Sequence, residues 1–198
     1  MIDFLKDLDK RWLLIVNQTH TPWLDQVMWF FSNRYVWIPL YAIPVIIIVL
    51  QLKKKAIPHL IILGLLIVLS DQLASSVMKP LFQRLRPSHD PSIEDILHYV
   101  NHYKGGLYGF VSSHSMNVFA LSFYFLFATP GKIRWLSLLL FLWAMIVAYS
   151  RVYLGVHYPA DVIIPIFISC ALAYCASKIY RPYSVKYSDA NTNEIIQP

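Results

Sequence analysis

The chain has 198 residues, 57% of them hydrophobic and only 14% charged, with a mean hydropathy of +0.50, where a soluble domain carries about a quarter charged residues. That composition excludes an ordinary soluble globule and a disordered chain. Seventeen Lys and Arg against eleven Asp and Glu give +6, which in so apolar a chain reads as membrane topology; no nucleic-acid-binding pattern accompanies it and no nucleic acid is expected as a partner.

The N-terminus, MIDFLKDLDK, mixes acids with bases and precedes no small-residue cleavage site, so no removable signal peptide is expected. Residues 11–31 carry Arg11, Asn17, Gln18, His20, Pro22 and Asp25, and read either as a poor membrane span or as a pair of interfacial amphipathic helices. Apolar runs follow at 35–52, 57–78, 114–129, 133–152 and 159–178, most of them near the ~20 residues that cross a bilayer as a helix. Within the long loop 87–113, Ser92 as N-cap, Asp95, and a face of Ile93, Ile96, Leu97 and Val100 predict a short amphipathic helix, broken by Gly105 and Gly106. Cys170 and Cys175 share the last apolar run, too few and too badly oriented for a disulfide framework. From Ser184 the chain is polar and expected to be disordered. The division is amphipathic or partly embedded helices over 1–34, a transmembrane catalytic domain over 35–182 and a polar tail over 183–198.

Lys53, Lys54, Lys55, Lys132, Arg134, Lys178, Arg181 and Lys186 fall on one side of these spans, which places that side in the cytoplasm. With the N-terminal segment left out, the other side holds Lys79, Arg84, Arg86, Lys104 and Arg151 at helix ends, and these need another explanation. Tyr and Trp near span ends, such as Tyr35, Trp37, Trp135, Tyr153 and Tyr180, fit interfacial belts.

Three polar clusters lie on that second face. One is KPLFQRLRP, Lys79 to Pro87, in which Lys79 and Arg86 share a helix face if the turn survives Pro80. Another is Val111-Ser112-Ser113-His114 before a span, and the third is Ser150-Arg151 with His157 and Asp161 following. Fixed cations, a helix N-terminus and two histidines suit a phosphate-like anion. Lys79, Arg86 and Arg151 can neutralise its oxygens, and Ser112 and Ser113 stand where helix-start N–H groups offer an anion site. Asp161, four residues after His157, can fix one ring nitrogen as donor and leave the other free to attack phosphorus, while His114 protonates the leaving oxygen and then activates water. No metal is needed for that chemistry.

These motifs resemble the type 2 phosphatidic acid phosphatase (PAP2) superfamily, whose pattern is Lys-x6-Arg-Pro, then Pro-Ser-Gly-His, then Ser-Arg-x5-His-x3-Asp. The first stands complete as Lys79 to Pro87 and the third as Ser150 to Asp161; the middle one departs, reading VSSH, so Ser113 adds a side chain where backbone meets the anion. The resemblance implies His157 as nucleophile, Asp161 as its partner, His114 as general acid, and Lys79, Arg86, Ser112, Ser113 and Arg151 as phosphate ligands. It also implies a six-helix core, which favours a sixth membrane helix near the N-terminus, so the expected fold is an all-α polytopic membrane helical bundle with five to six transmembrane helices and a PAP2-like core. No cofactor or metal is implied.

The function expected is a metal-independent membrane lipid phosphatase of the inner (plasma) membrane, its site facing the periplasm or exterior. By resemblance to bacterial members of the family, undecaprenyl pyrophosphate and the phosphates of lipid A lead, followed by phosphatidylglycerol phosphate and phosphatidic acid. A lipid phosphotransferase is the rival enzyme, and a lipid-phosphate transporter the rival of another class; closure of the spans' cytoplasmic halves by Leu, Ile and Val speaks against transport. Asp71 and Ser75 either hold Lys79 or lie in a polar helix contact. Arg84 and Lys104 border the site as headgroup contacts or as snorkelling side chains. His98 and His102 read as a solvated face rather than a metal pair.

Overall fold

The computed structural model describes residues 2–129 and 131–194, the side chains of 2, 34, 40, 132 and 180–194 excepted. Among the described residues there are eight α-helices: α1 (Ile2–Gln18), α2 (Pro22–Ser32), α3 (Trp37–Leu52), α4 (Ala56–Gln72), α5 (Lys79–Phe82), α6 (Ser113–Ala128), α7 (Gly131–Tyr153) and α8 (Pro159–Glu194). Among the described residues extended pairing is confined to one isolated bridge, Leu85 with Tyr108. The polar tail expected from 183 falls on residues whose side chains are not described, and 195–198 lie outside the described residues.

Three helical stretches among the described residues are long and apolar enough to cross a membrane, Trp37–Phe82, Ile133–Tyr153 and Pro159–Ile179. The first is broken at Lys53, whose φ of +48° leaves the helical region. Its two ends then meet at one place: Trp37 packs edge-on against His114 with ring centroids 4.9 Å apart, and Lys79 Nζ lies 2.7 Å from Ser113 Oγ. The run therefore goes out along α3 and returns along α4, and with α6, α7 and α8 five helices run between the motif end and the far end.

Helix α6 sits at the centre, against α4, α7 and α8. Met116, Phe119, Ala120, Leu121, Tyr124 and Phe125 are all buried, as a helix apolar on every side requires. Small residues bring its neighbours close: Ala144 and Ala148 on α7, and Ala173 and Ala176 on α8, are buried. One apolar cluster, including Leu63, Leu66, Phe125 and Leu136, fills the end away from the motifs; a second, including Leu13, Trp37, Leu97, Phe119 and Val162, ties α1 and the 87–113 loop to the motif end.

Residues 11–31 form parts of two helices rather than one span. Asp9, Leu13 and Asn17, one turn apart, face inward and are buried, while Phe4, Leu8, Trp12 and Ile15 form an exposed apolar stripe. Asn17 fastens α1 down, its amide donating to the carbonyls of His98 (2.9 Å) and Tyr153 (2.8 Å) and its oxygen accepting from the His98 N–H (2.8 Å). The loop 87–113 is not the expected amphipathic helix. It makes three short 3-10 turns, Pro87–His89, Glu94–Ile96 and Val100–His102. Ile93, Leu97 and Val100 are buried as expected, but Ile96 is 56% exposed, because their packing comes from α1, α2 and α7 rather than from a helix face. Ser92 is not an N-cap: Asp90 Oδ1 accepts from the Ser92 N–H at 3.0 Å and hydroxyl at 2.7 Å, holding the bend that leads into the Glu94–Ile96 turn.

Candidate active site

Helix α7 ends after Arg151 in a turn closed by Gly155, which adopts φ +65°, the left-handed conformation that favours glycine at such an end. His157 and Tyr158 follow and Pro159 opens α8, so the turn sets His157 one helical turn before Asp161. His157 is 1% exposed, and its Nδ1 stands 3.5 Å from Asp161 Oδ2. Its Nε2 lies 3.1 Å from Arg86 Nη1. A guanidinium can only donate, so Nε2 carries the lone pair and the proton resides on Nδ1, facing the carboxylate. Burial first, then the positive charges of Arg86, Arg151, Lys79 and His114, hold the imidazole well below its ordinary pKa of 6.5 and keep it neutral.

Asp161 is held at both oxygens. Oδ1 accepts from Arg84 Nη1 at 2.8 Å and Oδ2 from the Tyr158 N–H at 3.0 Å. Arg84 also donates from Nη2 to Asp9 Oδ2 at 2.6 Å and lies over the Tyr158 ring, 4.2 Å from its centroid. Asp9 Oδ1 in turn accepts from the Ala160 N–H at 2.9 Å, capping the start of α8 from α1.

Lys79 and Arg86 do not share a helix face. Helix α5 stops at Phe82, Gln83 is left-handed at φ +45°, and the segment to Arg86 is extended, its Arg86 N–H donating to the Leu107 carbonyl at 2.9 Å while the Gly109 N–H donates to Arg84 O at 2.8 Å. A run of π-helix, Leu73–Met78, precedes α5 and rotates its side chains. Arg86 is buried, donating to Tyr108 O at 3.2 Å and Val156 O at 3.3 Å. Burial and the charge of Arg151 lower its pKa to about 10, which leaves it a cation at neutral pH. Two glycines make room for it. A Cβ at Gly105 would stand 2.9 Å from Arg86 Nη1, and one at Gly109 would stand 2.9 Å from Asp161 Oδ2 and 3.2 Å from Arg86 Cγ.

Arg151, 2% exposed, donates to Ser32 Oγ and, at 3.3 Å, to Tyr103 OH. Lys79 and Ser75 both meet the Ser113 hydroxyl, at 2.7 and 2.9 Å. Ser112 is fully buried and structural in its contacts: its N–H donates to Asp161 O at 2.9 Å and its hydroxyl caps α6, accepting from Ser115 N at 3.4 Å. His114 faces a cavity of about 410 Å³ that it shares with Arg151.

A neutral buried imidazole whose Nε2 meets Arg86, a carboxylate on its other side, and Lys79, Arg151 and His114 nearby are the groups that attack on a phosphate would need. Residues 59–183 match the PAP2 superfamily. The chain belongs to that superfamily. This PAP2 chain is 39% identical over 165 residues to the lipid A 4'-phosphatase of Bacteroides thetaiotaomicron, covering 82% of this chain and 72% of the relative. It is 30% identical over 184 residues to the lipid A 4'-phosphatase of Porphyromonas gingivalis, covering 90% and 75%. The crystal structure of Aquifex aeolicus LpxE has the same fold, with a TM-score of 0.64 at 24% identity over 86% of this chain and 95% of that one.

The three PAP2 motifs thus converge, though Ser112 reaches the site through its cap and its neighbour rather than as an open anion ligand. Asp71 accepts from Asn117 Nδ2 at 3.1 Å, a polar contact between α4 and α6. Lys104 turns to Glu94, 3.7 Å away, and to the ring of Tyr99. His98 does not pair with His102: its Nε2 lies 2.9 Å from Asp25 Oδ2 and its ring stacks on His20 at 3.8 Å, joining the loop to the α1–α2 connection. Asp9, Gly109, Ser32 and Tyr103 escape a reading by motif. Only Arg84 leaves a signal, since in an extended RLR segment residues two apart point the same way.

Proposed function

We propose that this site hydrolyses a lipid phosphate through a phosphohistidine at His157, the 4'-phosphate of lipid A being the first candidate and undecaprenyl pyrophosphate the second. That the chain is a membrane lipid phosphatase follows from its family and relatives; the lipid and the residue roles are our reading. The observation that carries it is the contact of Arg86 Nη1 with His157 Nε2 at 3.1 Å, which supports Nε2 as the nucleophilic nitrogen and Arg86 as a phosphate-binding fork beside it. The Nε2 electron pair forms the N–P bond, the P–O bond breaks, and the leaving oxygen takes a proton from His114. Water, giving its proton back to His114, then displaces the imidazole and releases phosphate. Asp161 Oδ2, 3.5 Å away, faces the Nδ1 proton and stabilises the charge that grows on the ring. Arg86, Arg151 and Lys79 balance the phosphoryl oxygens, with Ser113 positioning Lys79 and Ser112 positioning the start of α6.

The site is proposed to face the periplasm or exterior of the plasma membrane, because the run Lys53–Lys55, with Arg134 and Lys178, lies at the opposite ends of the helices. The similarity to two lipid A 4'-phosphatases supports lipid A over the other lipids. The test is phosphate release by detergent-purified protein in excess EDTA from lipid A, undecaprenyl pyrophosphate, phosphatidylglycerol phosphate and phosphatidic acid, beside a His157→Ala control. Release that is fastest from lipid A and vanishes in the control is the expected result; unaltered release by His157→Ala would overturn the assignment.

A further inference from the structure

The cavity over Arg151 and His114 has walls that the phosphate chemistry does not use. Trp29 comes from α2, Asn33 and Tyr35 from the connection to α3, and Tyr103 from the 87–113 loop. Trp29 and Tyr103 meet edge to face with centroids 5.5 Å apart, forming a corner. At about 410 Å³ the cavity lies within the roughly 300–1,000 Å³ range of ligand sites.

Its position relative to the two histidines decides what enters it. His157 is enclosed on the protein side and is not part of the cavity wall, whereas His114 is. In-line displacement puts the leaving oxygen opposite the attacking Nε2, on the side of the proton donor, so the leaving alcohol occupies the cavity. Three aromatic rings beside a hydroxyl and an amide are the chemistry that receives a pyranose: ring faces take its C–H surfaces, and Ser32 and Asn33 offer polar atoms to hydroxyl or amide groups. An isoprenoid or diacylglycerol chain gains nothing from those polar groups and would desolvate them.

We infer that the cavity walled by Trp29, Tyr35 and Tyr103 is a carbohydrate subsite that holds the sugar ring carrying the scissile phosphate. This rests on the phosphatase reading of the same site and goes further, assigning preference for a saccharolipid to α2 and its connection to α3.

Two arms test it. In the first, kcat/KM is measured for lipid A and for phosphatidic acid with wild type, Trp29→Ala and Trp29→Phe. Trp29→Ala should lower the preference for lipid A roughly tenfold, mostly through KM, and Trp29→Phe should restore much of it. An unchanged ratio, with both substrates falling together, would overturn the subsite. In the second, lipid A micelles are titrated onto the non-reacting His157→Ala protein with and without Trp29→Ala. About tenfold weaker binding in the double variant supports the subsite, and equal binding overturns it. Because this arm needs no turnover, wild type that releases no phosphate would refute the hydrolase alone, leaving the sugar site to be decided by binding.

Discussion

Arg84 donates to Oδ1 of Asp161 at 2.8 Å, the oxygen turned away from His157. With Oδ1 fixed, rotation of the carboxylate is blocked, and Oδ2 is left for the Tyr158 N–H and the imidazole. Arg84 is itself aimed by Asp9, so the orientation of the histidine is set by a chain of charges that begins on α1. Through Asp9, α1 is thus tied to the candidate site.

Arg84→Gln should cut kcat about a hundredfold, the scale of a misplaced reacting group, because Asp161 is fully buried and would lose its cationic hydrogen-bond donor. Asp9→Asn should cost less, since Arg84 keeps its contact with Asp161. Inhibition by orthovanadate should change little in either variant, as Arg84 and Asp9 spend these contacts on each other and on Asp161. Wild-type turnover in Arg84→Gln would show that Asp161 needs no orienting partner.

The glycines of the loop offer a matched pair. A Cβ at Gly109 would fall 2.9 Å from Asp161 Oδ2 and 3.2 Å from Arg86 Cγ, whereas one at Gly106 would meet nothing within 4 Å. Gly109→Ala should therefore lose about a hundredfold in kcat/KM by displacing two site residues at once, and Gly106→Ala should stay within about twofold of wild type. Equal activity of the two variants would mean that the cradle yields without consequence.

The sequence is most informative where its signals are local. Apolar runs of bilayer length, Pro159 at the start of α8 and the i, i+4 spacing of His157 and Asp161 all survive in the structure because each depends on neighbours within a turn or two. It is least informative where distant segments decide. Arg86 leaves the helix of Lys79 because Gln83 turns left-handed and the strand-like segment pairs with 107–109. The 87–113 loop buries Ile93, Leu97 and Val100 without an α-helix, since other elements supply the packing. Asp9 meets Ala160 across 151 positions, and no periodicity reports such a contact.

Asn17 provides a test of how firmly α1 is held. Its side chain is fully buried and makes three hydrogen bonds, to both backbone groups of His98 and to the Tyr153 carbonyl. Asn17→Ala strands those groups, and the loss should be about 1–3 kcal/mol for each that stays dry. A clear fall in the melting temperature of the detergent-solubilised protein is expected, and an unshifted melt would show that water replaces the amide.

The acid limb of the pH profile should belong to His157. Attack requires the neutral ring, and burial together with the charges of Arg86, Arg151, Lys79 and His114 lowers its pKa well below 6.5. Lowering favours the active form, so kcat/KM should hold its plateau below pH 6.5 and be lost only as pH falls through the depressed value. Arg86 is the largest of those charges, so Arg86→Gln should move the limb upward toward 6.5 even as the absolute rate drops through weaker phosphate binding. The position of the limb separates the two effects, because a lost phosphate contact alone scales the profile without displacing it. A wild-type limb at or above 6.5, or an unmoved limb in Arg86→Gln, would mean that the cations do not hold the nucleophile neutral.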